Sequence, residues 1–225
     1  MNTITKATLF CLVATVLLSS KVIAQENQPT FGFRMAPNIG WVKPDASAYD
    51  SEGVTAGFSW GFIAEFPMAE NYSFSSGFNI LFNGGKLSYP HQIDGTPGVL
   101  ERKYGFKYLE VPLMLRLFTS DRGGPMFFGQ IGLGTGILLD ARGTDQFNTQ
   151  IYPKEKITDE IKLFRAALLV GLGVEYPLGP SLKGIAGLYF NNGFSDVLKG
   201  SNIANNSISH KAFNSFVELN IGLLF

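Results

Sequence analysis

The chain has 225 residues, 45% hydrophobic and only 16% charged, well below the roughly 25% charged content of an average globular protein. Eighteen basic residues balance eighteen acidic ones. This hydrophobic share excludes a disordered chain, and the missing basic excess argues against nucleic acid as a partner. A single cysteine, beside 26 glycines and 20 phenylalanines, leaves no disulfide framework and no cysteine-built metal site.

Residues 1–24 read as a secretory signal peptide. Lys6 supplies the positive start, Ala7 to Leu18 the apolar stretch, and Val22-Ile-Ala24 the small residues before a cleavage point at Gln25. The apolar stretch is shorter than the roughly 20 residues a spanning helix needs. Cys11 lies inside this segment, so residues 25–225, the expected mature domain, have no cysteine; losing Lys6 and Lys21 leaves 16 basic against 18 acidic residues, a formal charge of −2. No later apolar run has helical length, because Arg165 and two glycines interrupt Leu163 to Val174. A membrane home for the mature chain then requires a closed barrel.

Eight segments alternate with period two. Residues 31–42 set Phe31, Phe33, Met35, Ile39 and Trp41 on one face, and 54–66 do the same with Val54 through Phe66 against Thr55 through Glu65. Segment 71–83 opposes Tyr72, Phe74, Phe78, Ile80 and Phe82 to Ser73, Ser75 and Asn79; 109–117 opposes five apolar residues to Glu110, Pro112, Met114 and Arg116. The remaining segments are 126–140, 164–176, 181–192 and 213–225. Short turns at 67–70, 119–125 and 177–180 alternate with longer polar stretches at 43–52, 84–103, 141–160 and 193–212. The pattern predicts an all-β fold, an eight-stranded antiparallel up-and-down transmembrane β-barrel with short periplasmic turns and longer extracellular loops.

The second row of residues decides which face meets lipid. It is rich in Gly, Ala, Ser and Asn, as the narrow lumen of an eight-stranded barrel requires, whereas a water-facing row would carry more Lys, Glu and Thr. The apolar row ends in aromatics: Phe31, Phe66, Tyr72, Phe127, Tyr176 and Phe225 toward the periplasm, and Trp41, Phe82, Phe164, Phe190 and Phe213 at the outer side. Such residues form girdles at headgroup level. The lumen row carries Glu65, Glu110, Glu175 and Glu218 beside Arg34, Arg116, Arg165 and Lys183. These are expected to pair in a hydrogen-bonded network that plugs the barrel, the rival reading being a proton or ion path. Two features resist the pattern. Pro112 lacks an N–H inside a strand, which a bulge would accommodate. Tyr104, Phe106 and Tyr108 are out of phase with the apolar row of 109–117, through either a second irregularity near Tyr108 or aromatics capping the outer mouth.

Tyr108-Leu-Glu-Val-Pro-Leu-Met-Leu-Arg116 resembles the "YLEIPLLLK"-type strand of the PorT-like outer-membrane β-barrel family of Bacteroidetes. Gly171 to Tyr176 and Glu218 to Phe225 are similar to that family too. The resemblance implies an outer-membrane barrel of eight strands with a proline in this strand, and an accessory role in type IX protein secretion as one alternative function. The ending at Phe225 resembles the signal read by the outer-membrane assembly machinery.

Candidate chemistry is sparse. His91 and His210 fall in expected outside loops; Ser209 adjoins His210 but strand neighbours point apart, and Asp94 follows His91 by three residues. A lipid-modifying enzyme is therefore the weakest of the three functional readings. Asp45, Asp50 and Glu52, or Asp140, Asp145 and Asp159, match no calcium loop, so neither metal nor cofactor is expected. Gly132, Gly134 and Gly136 follow strand periodicity and open no helix. The expected partners are outer-membrane lipids, the assembly machinery, and envelope or secretion proteins at the loops, with 84–103 the first candidate for contact.

Overall fold

The computed structural model describes residues 28–46, 48–93, 95–119, 124–148, 150–200 and 210–225. The segment read as a signal peptide, together with Asp94 and Ser209, lies outside them. The strands are β1 (Thr30–Pro44), β2 (Asp50–Gly53), β3 (Thr55–Ala69), β4 (Tyr72–Ile93), β5 (Thr96–Phe118), β6 (Met126–Phe147), β7 (Gln150–Ile151), β8 (Glu155–Lys156), β9 (Phe164–Pro177), β10 (Lys183–Gly193) and β11 (Ala212–Leu224). A 3₁₀ turn covers Thr158–Glu160. Eight of the strands close a ring in the order β1, β3, β4, β5, β6, β9, β10, β11, every pair antiparallel. First and last strands meet from Gly32↔Leu224 to Pro44↔Ala212. Backbone hydrogen bonds between Phe31 and Phe225 in both directions, 3.1 and 2.7 Å, finish the seam. No edge strand is left at membrane depth, as lipid demands.

The alternation read from the sequence sets the faces. Phe33, Met35, Ile39, Trp60, Leu113, Ile131, Leu172 and Ile221 are exposed outward, while Asn38, Ser59, Asn79, Gln130 and Asn220 are buried inside. Three strands are far longer than 71–83, 109–117 and 126–140 implied: β4, β5 and β6 have 22, 23 and 22 residues, where about 9–11 cross a bilayer. Most of the stretch 84–103 is thus strand rather than loop. It forms a hairpin paired from Gly84↔Gly105 to Ile93↔Thr96. Likewise 141–160 continues β6 and then adds β7, β8 and the 3₁₀ turn, and β2 starts within 43–52 and runs on to Gly53, paired to β4. These segments are polar mainly on their outward row, the inward exceptions including His91, Arg102 and Asp145. Their inward row, including Leu87, Tyr89, Leu100 and Tyr104, packs into one apolar cluster with Val42, Leu81, Phe106, Tyr108, Phe147, Ile157, Ile161, Val197, Leu198 and Phe216. The long end is the extracellular one by the asymmetry of outer-membrane barrels.

Tyr104, Phe106 and Tyr108 are all buried, in the same inward phase as Glu110 and Arg116, so β5 has no break and the aromatics fill the outer mouth. The irregularity near Tyr108 belongs to β6: register passes from Tyr108↔Leu138 to Lys107↔Asp140, leaving Leu139 as the extra residue. This bulge moves the inward row of β6 from even to odd numbers, so Ala141 and Phe147 join the cluster. No bulge accommodates Pro112. The β4–β5 ladder keeps its register but is open between Ser75↔Met114 and Asn79↔Glu110, and the Ser76 hydroxyl donates to the Pro112 carbonyl at 2.9 Å. Gly77 lies opposite with φ +142°, where a Cβ would meet the Phe62 carbonyl oxygen at 2.0 Å. Only glycine fits there. Pro37 is treated alike, the β1–β11 ladder being open between Met35↔Ile221 and Asn38↔Glu218.

Candidate functional site

The eight charged residues singled out in the lumen row gather inside the ring in three tiers. At the periplasmic end, Arg116 Nη1 lies 2.6 Å from Glu65 and 3.0 Å from Glu175, and Lys183 reaches Glu175 at 3.6 Å from a half-exposed position. Ser73 donates to Glu65 at 2.5 Å, and the Arg116 guanidinium stacks 3.9 Å from the Phe128 ring centroid. In the middle, Arg34 pairs with Glu218, which also accepts from Ser59 at 2.9 Å. Toward the outside, Arg165 pairs with Glu110 at 3.1 Å and donates to Asn191 at 2.6 Å and to the Asn214 carbonyl at 2.9 Å. Arg116 and Arg165 are each only 2% exposed. Burying such ions is costly unless their charges are matched, and the tiers pair the cations with the carboxylates across strands far apart in sequence, while Arg34 Nε, Arg116 Nε and Nη2 and Arg165 Nε are buried without a hydrogen bond. The cavity among them, lined by Arg34, Asn79, Glu110, Arg116, Gln130 and Glu218, is about 40 Å³. That holds a water or two, not a solute.

The eleven aromatics read as girdles all stand on the outward face. Phe127 and Phe164 are the most exposed, at 61% and 67%. Trp41 and Phe213 are partly covered: Trp41 stacks on Phe190 at 6.1 Å, and Lys211 Nζ sits 5.5 Å over the Phe213 ring.

Above the tiers lies a mouth cluster that the sequence reading did not assemble. Arg102, on the inward row of the β4–β5 hairpin, donates from Nε and Nη2 to Asp145 at 2.6 and 2.5 Å and from Nη1 to Glu160 at 2.5 Å. A cavity of about 130 Å³ beside it is lined by His91, Asp145, Tyr152, Lys156 and Glu160. Burial, followed by the nearby Arg102 charge, holds the His91 ring below its ordinary pKa. Burial pushes the Tyr89 hydroxyl up to about 12 and holds the Tyr104 hydroxyl well above its ordinary value. Tyr89 stacks on Tyr49 at 4.8 Å, and the Tyr49 hydroxyl is hydrogen-bonded to His210 Nδ1 at 2.7 Å. The available signal was the inward phase itself: Leu87, Tyr89 and His91 continue the row of Leu81 and Asn83, and Leu100, Arg102 and Tyr104 continue the row of Glu110.

Four of the six acidic residues weighed as cation ligands are separately engaged, Asp145 by Arg102 as above. Asp45 pairs with Lys211, Asp140 with Arg142 at 3.0 Å, and Glu52 accepts from Ser88 at 2.6 Å. Among the described residues, no group of three or more His, Cys, Asp or Glu side chains is arranged to hold a metal.

A closed eight-stranded ring with apolar residues outward and paired ions inward defines an integral outer-membrane β-barrel. Residues 23–199 match the family model described as outer membrane protein beta-barrel domain, and the chain belongs to that family. Family and fold place the protein in the outer membrane. Among solved structures it is similar to the outer membrane protein OprG from Pseudomonas aeruginosa, at 13% identity over 91% of this chain and 99% of that one, TM-score 0.50. Neisserial surface protein A matches at 13% identity over 89% and 98% of the two chains, TM-score 0.48. The outer membrane protease OmpT from Escherichia coli matches at 10% identity over 92% and 99%, TM-score 0.40. No curated protein matches the sequence.

Proposed function

We propose that the protein is a non-catalytic outer-membrane barrel of the PorT-like type, with a filled lumen, that presents its rigid extracellular extension to envelope partners. The observation that carries this reading is the double closure of the interior. Three tiers of paired ions fill the lower half, and an apolar cluster around Tyr104, Phe106 and Tyr108 fills the upper half. A barrel built to conduct would leave a continuous polar channel between them. The extension is an ordered sheet, so it offers a fixed surface rather than a loop that must be ordered on binding. Planar-bilayer recording of the folded protein tests the proposal: absence of discrete conductance is expected, and reproducible unitary currents would overturn it.

The likeness of Tyr108–Arg116 to the PorT-like strand supports a second reading, an accessory role in type IX secretion. Deleting the gene and assaying secreted proteases separates the two, since normal secretion would eliminate the accessory role and leave the first reading standing.

A further inference from the structure

The outward face of the β4–β5–β6–β8 wall carries an uneven distribution of charge just above the lipid belt. Residues directly opposite across a ladder share a face, so the register gives successive rows. The lowest joins Phe82, Lys107 and Asp140; the next joins Gly84, Gly105, Arg142 and Lys156; the third joins Lys86, Lys103 and Thr144. Lys107 Nζ sits 5.4 Å over the ring of Phe82, a girdle residue, which fixes the lowest row at the edge of the belt. Lys86 and Lys103 are like charges in direct opposition, an arrangement that destabilises a sheet unless an anion neutralises it. Neither they nor Lys107 and Lys156 form an ion pair among the described residues; Asp140 pairs with Arg142 and lies in the weaker field of Lys156. One row higher stand Glu101 and Asp50, both opposite Ser88, and Glu52, bonded to the Ser88 hydroxyl, while Glu155 of β8 adjoins Lys156 but falls opposite Gly143 of the inward row. Elsewhere on the rim the arrangement differs: Lys211 is matched by Asp45 and Lys162 by Asp196 at 2.6 Å.

The three basic rows are about 7 Å apart along tilted strands. They therefore span the depth of the headgroup layer, with acids above and apolar side chains below. We propose that Lys86, Lys103, Lys107, Arg142 and Lys156 form a binding surface for the phosphate groups of lipid headgroups in the outer leaflet. The surface holds one side of the barrel against phosphorylated lipid while the acidic row above is kept clear of it. This goes beyond the filled-barrel reading and does not depend on it, because it needs only the membrane depth of the belt.

The test titrates the folded protein in neutral detergent micelles with phosphatidic acid or phosphatidylcholine of equal chain length, and counts bound lipids by native mass spectrometry. Wild type is expected to prefer phosphatidic acid by about tenfold or more, since each basic residue near an anionic headgroup contributes severalfold. The preference should fall with added salt. Replacing all five residues by Gln should abolish it, and Lys86→Gln with Lys103→Gln should remove about half of the free-energy preference. Control substitutions Lys43→Gln, Lys154→Gln, Lys199→Gln and Lys211→Gln should leave it intact. Equal binding of the two lipids by wild type, or an undiminished preference in either the five-residue or the two-residue variant, would overturn the proposal. So would displacement of phosphatidic acid by inorganic phosphate at matched ionic strength, which would make this a free-anion site.

Discussion

Strand β5 contains two halves of opposite polarity in one unbroken phase. From Leu109 to Leu117 the odd residues are apolar and face lipid, while Glu110 and Arg116 are buried inside. From Val99 to Lys107 the odd residues include Glu101, Lys103 and Lys107 and face the headgroup layer and the water above it, while Leu100, Tyr104 and Phe106 are buried inside. The backbone does not change; the solvent outside it does. In lipid, outward apolar groups cost nothing and the narrow lumen is filled by matched ions. In water, the same wall must turn its apolar row inward, so the extension has the pattern of a water-facing sheet. The lower half is therefore held by charge matching and the upper half by packing. Substitutions should fail differently in the two.

The largest effect is expected at Arg116, which serves both Glu65 and Glu175. Arg116→Met leaves buried Glu65 without its cation and Glu175 with only the half-exposed Lys183, and should destabilise the barrel by about 3–5 kcal/mol, measured by urea unfolding in lipid vesicles. Adding Glu65→Gln and Glu175→Gln should restore most of the loss, because a neutral set no longer needs the cation. Failure of the triple variant to recover would mean that Arg116 acts through its packing on Phe128 instead. In the upper half, Leu87→Ala opens a cavity beneath a fully buried side chain and should cost about 2–4 kcal/mol. That loss should be confined to the extension: hydrogen exchange should quicken in 84–106 while the membrane-spanning segments stay protected. Equal loosening of both halves would show that the barrel is one cooperative unit.

The lower half was the legible one. Apolar-out alternation such as Phe58, Trp60 and Phe62 has no competing explanation once the opposite row is Gly, Ser and Asn, and the same phase assigned each charge to the lumen. The sequence could not say which charge pairs with which, because Arg116 joins β3 to β9 and Arg165 joins β5, β10 and β11 across the ring. The upper half was read as loops for a physical reason. Its outward residues, Lys86, Ser88, Glu101 and Lys103, have surface composition, and the Pro90, Gly95, Pro97 and Gly98 around its tip carry turn chemistry. The inward row of Leu87, Tyr89, Leu100 and Tyr104 carried the strand signal, hidden because its polarity is the reverse of the row below.

Smaller effects sharpen the comparison at its boundaries. Gly77 is held at φ +142° opposite Pro112, within the membrane span. Gly77→Ala should cost about 1–3 kcal/mol through backbone strain, and the loss should appear in the lower half, as faster exchange at Phe62 and Ile63. A stability unchanged within error would show that the open stretch of ladder relaxes around the new Cβ.

The smallest expected effect separates the halves by pH. The folded extension keeps His91 below its ordinary pKa, chiefly by burial and then by Arg102, so the opened state binds a proton more readily than the native one. The contribution of neutral His91 is therefore fully present above the unfolded value of about 6.5 and is lost as pH falls through the lower folded value. Protection of 84–106, corrected for intrinsic exchange rates, should decline between neutral and mildly acidic pH. His91→Gln removes the titrating ring and should flatten that decline without changing protection in the membrane-spanning segments, which His91 does not contact. A slope identical in wild type and variant would show that His91 is not the source of the acid sensitivity of the mouth.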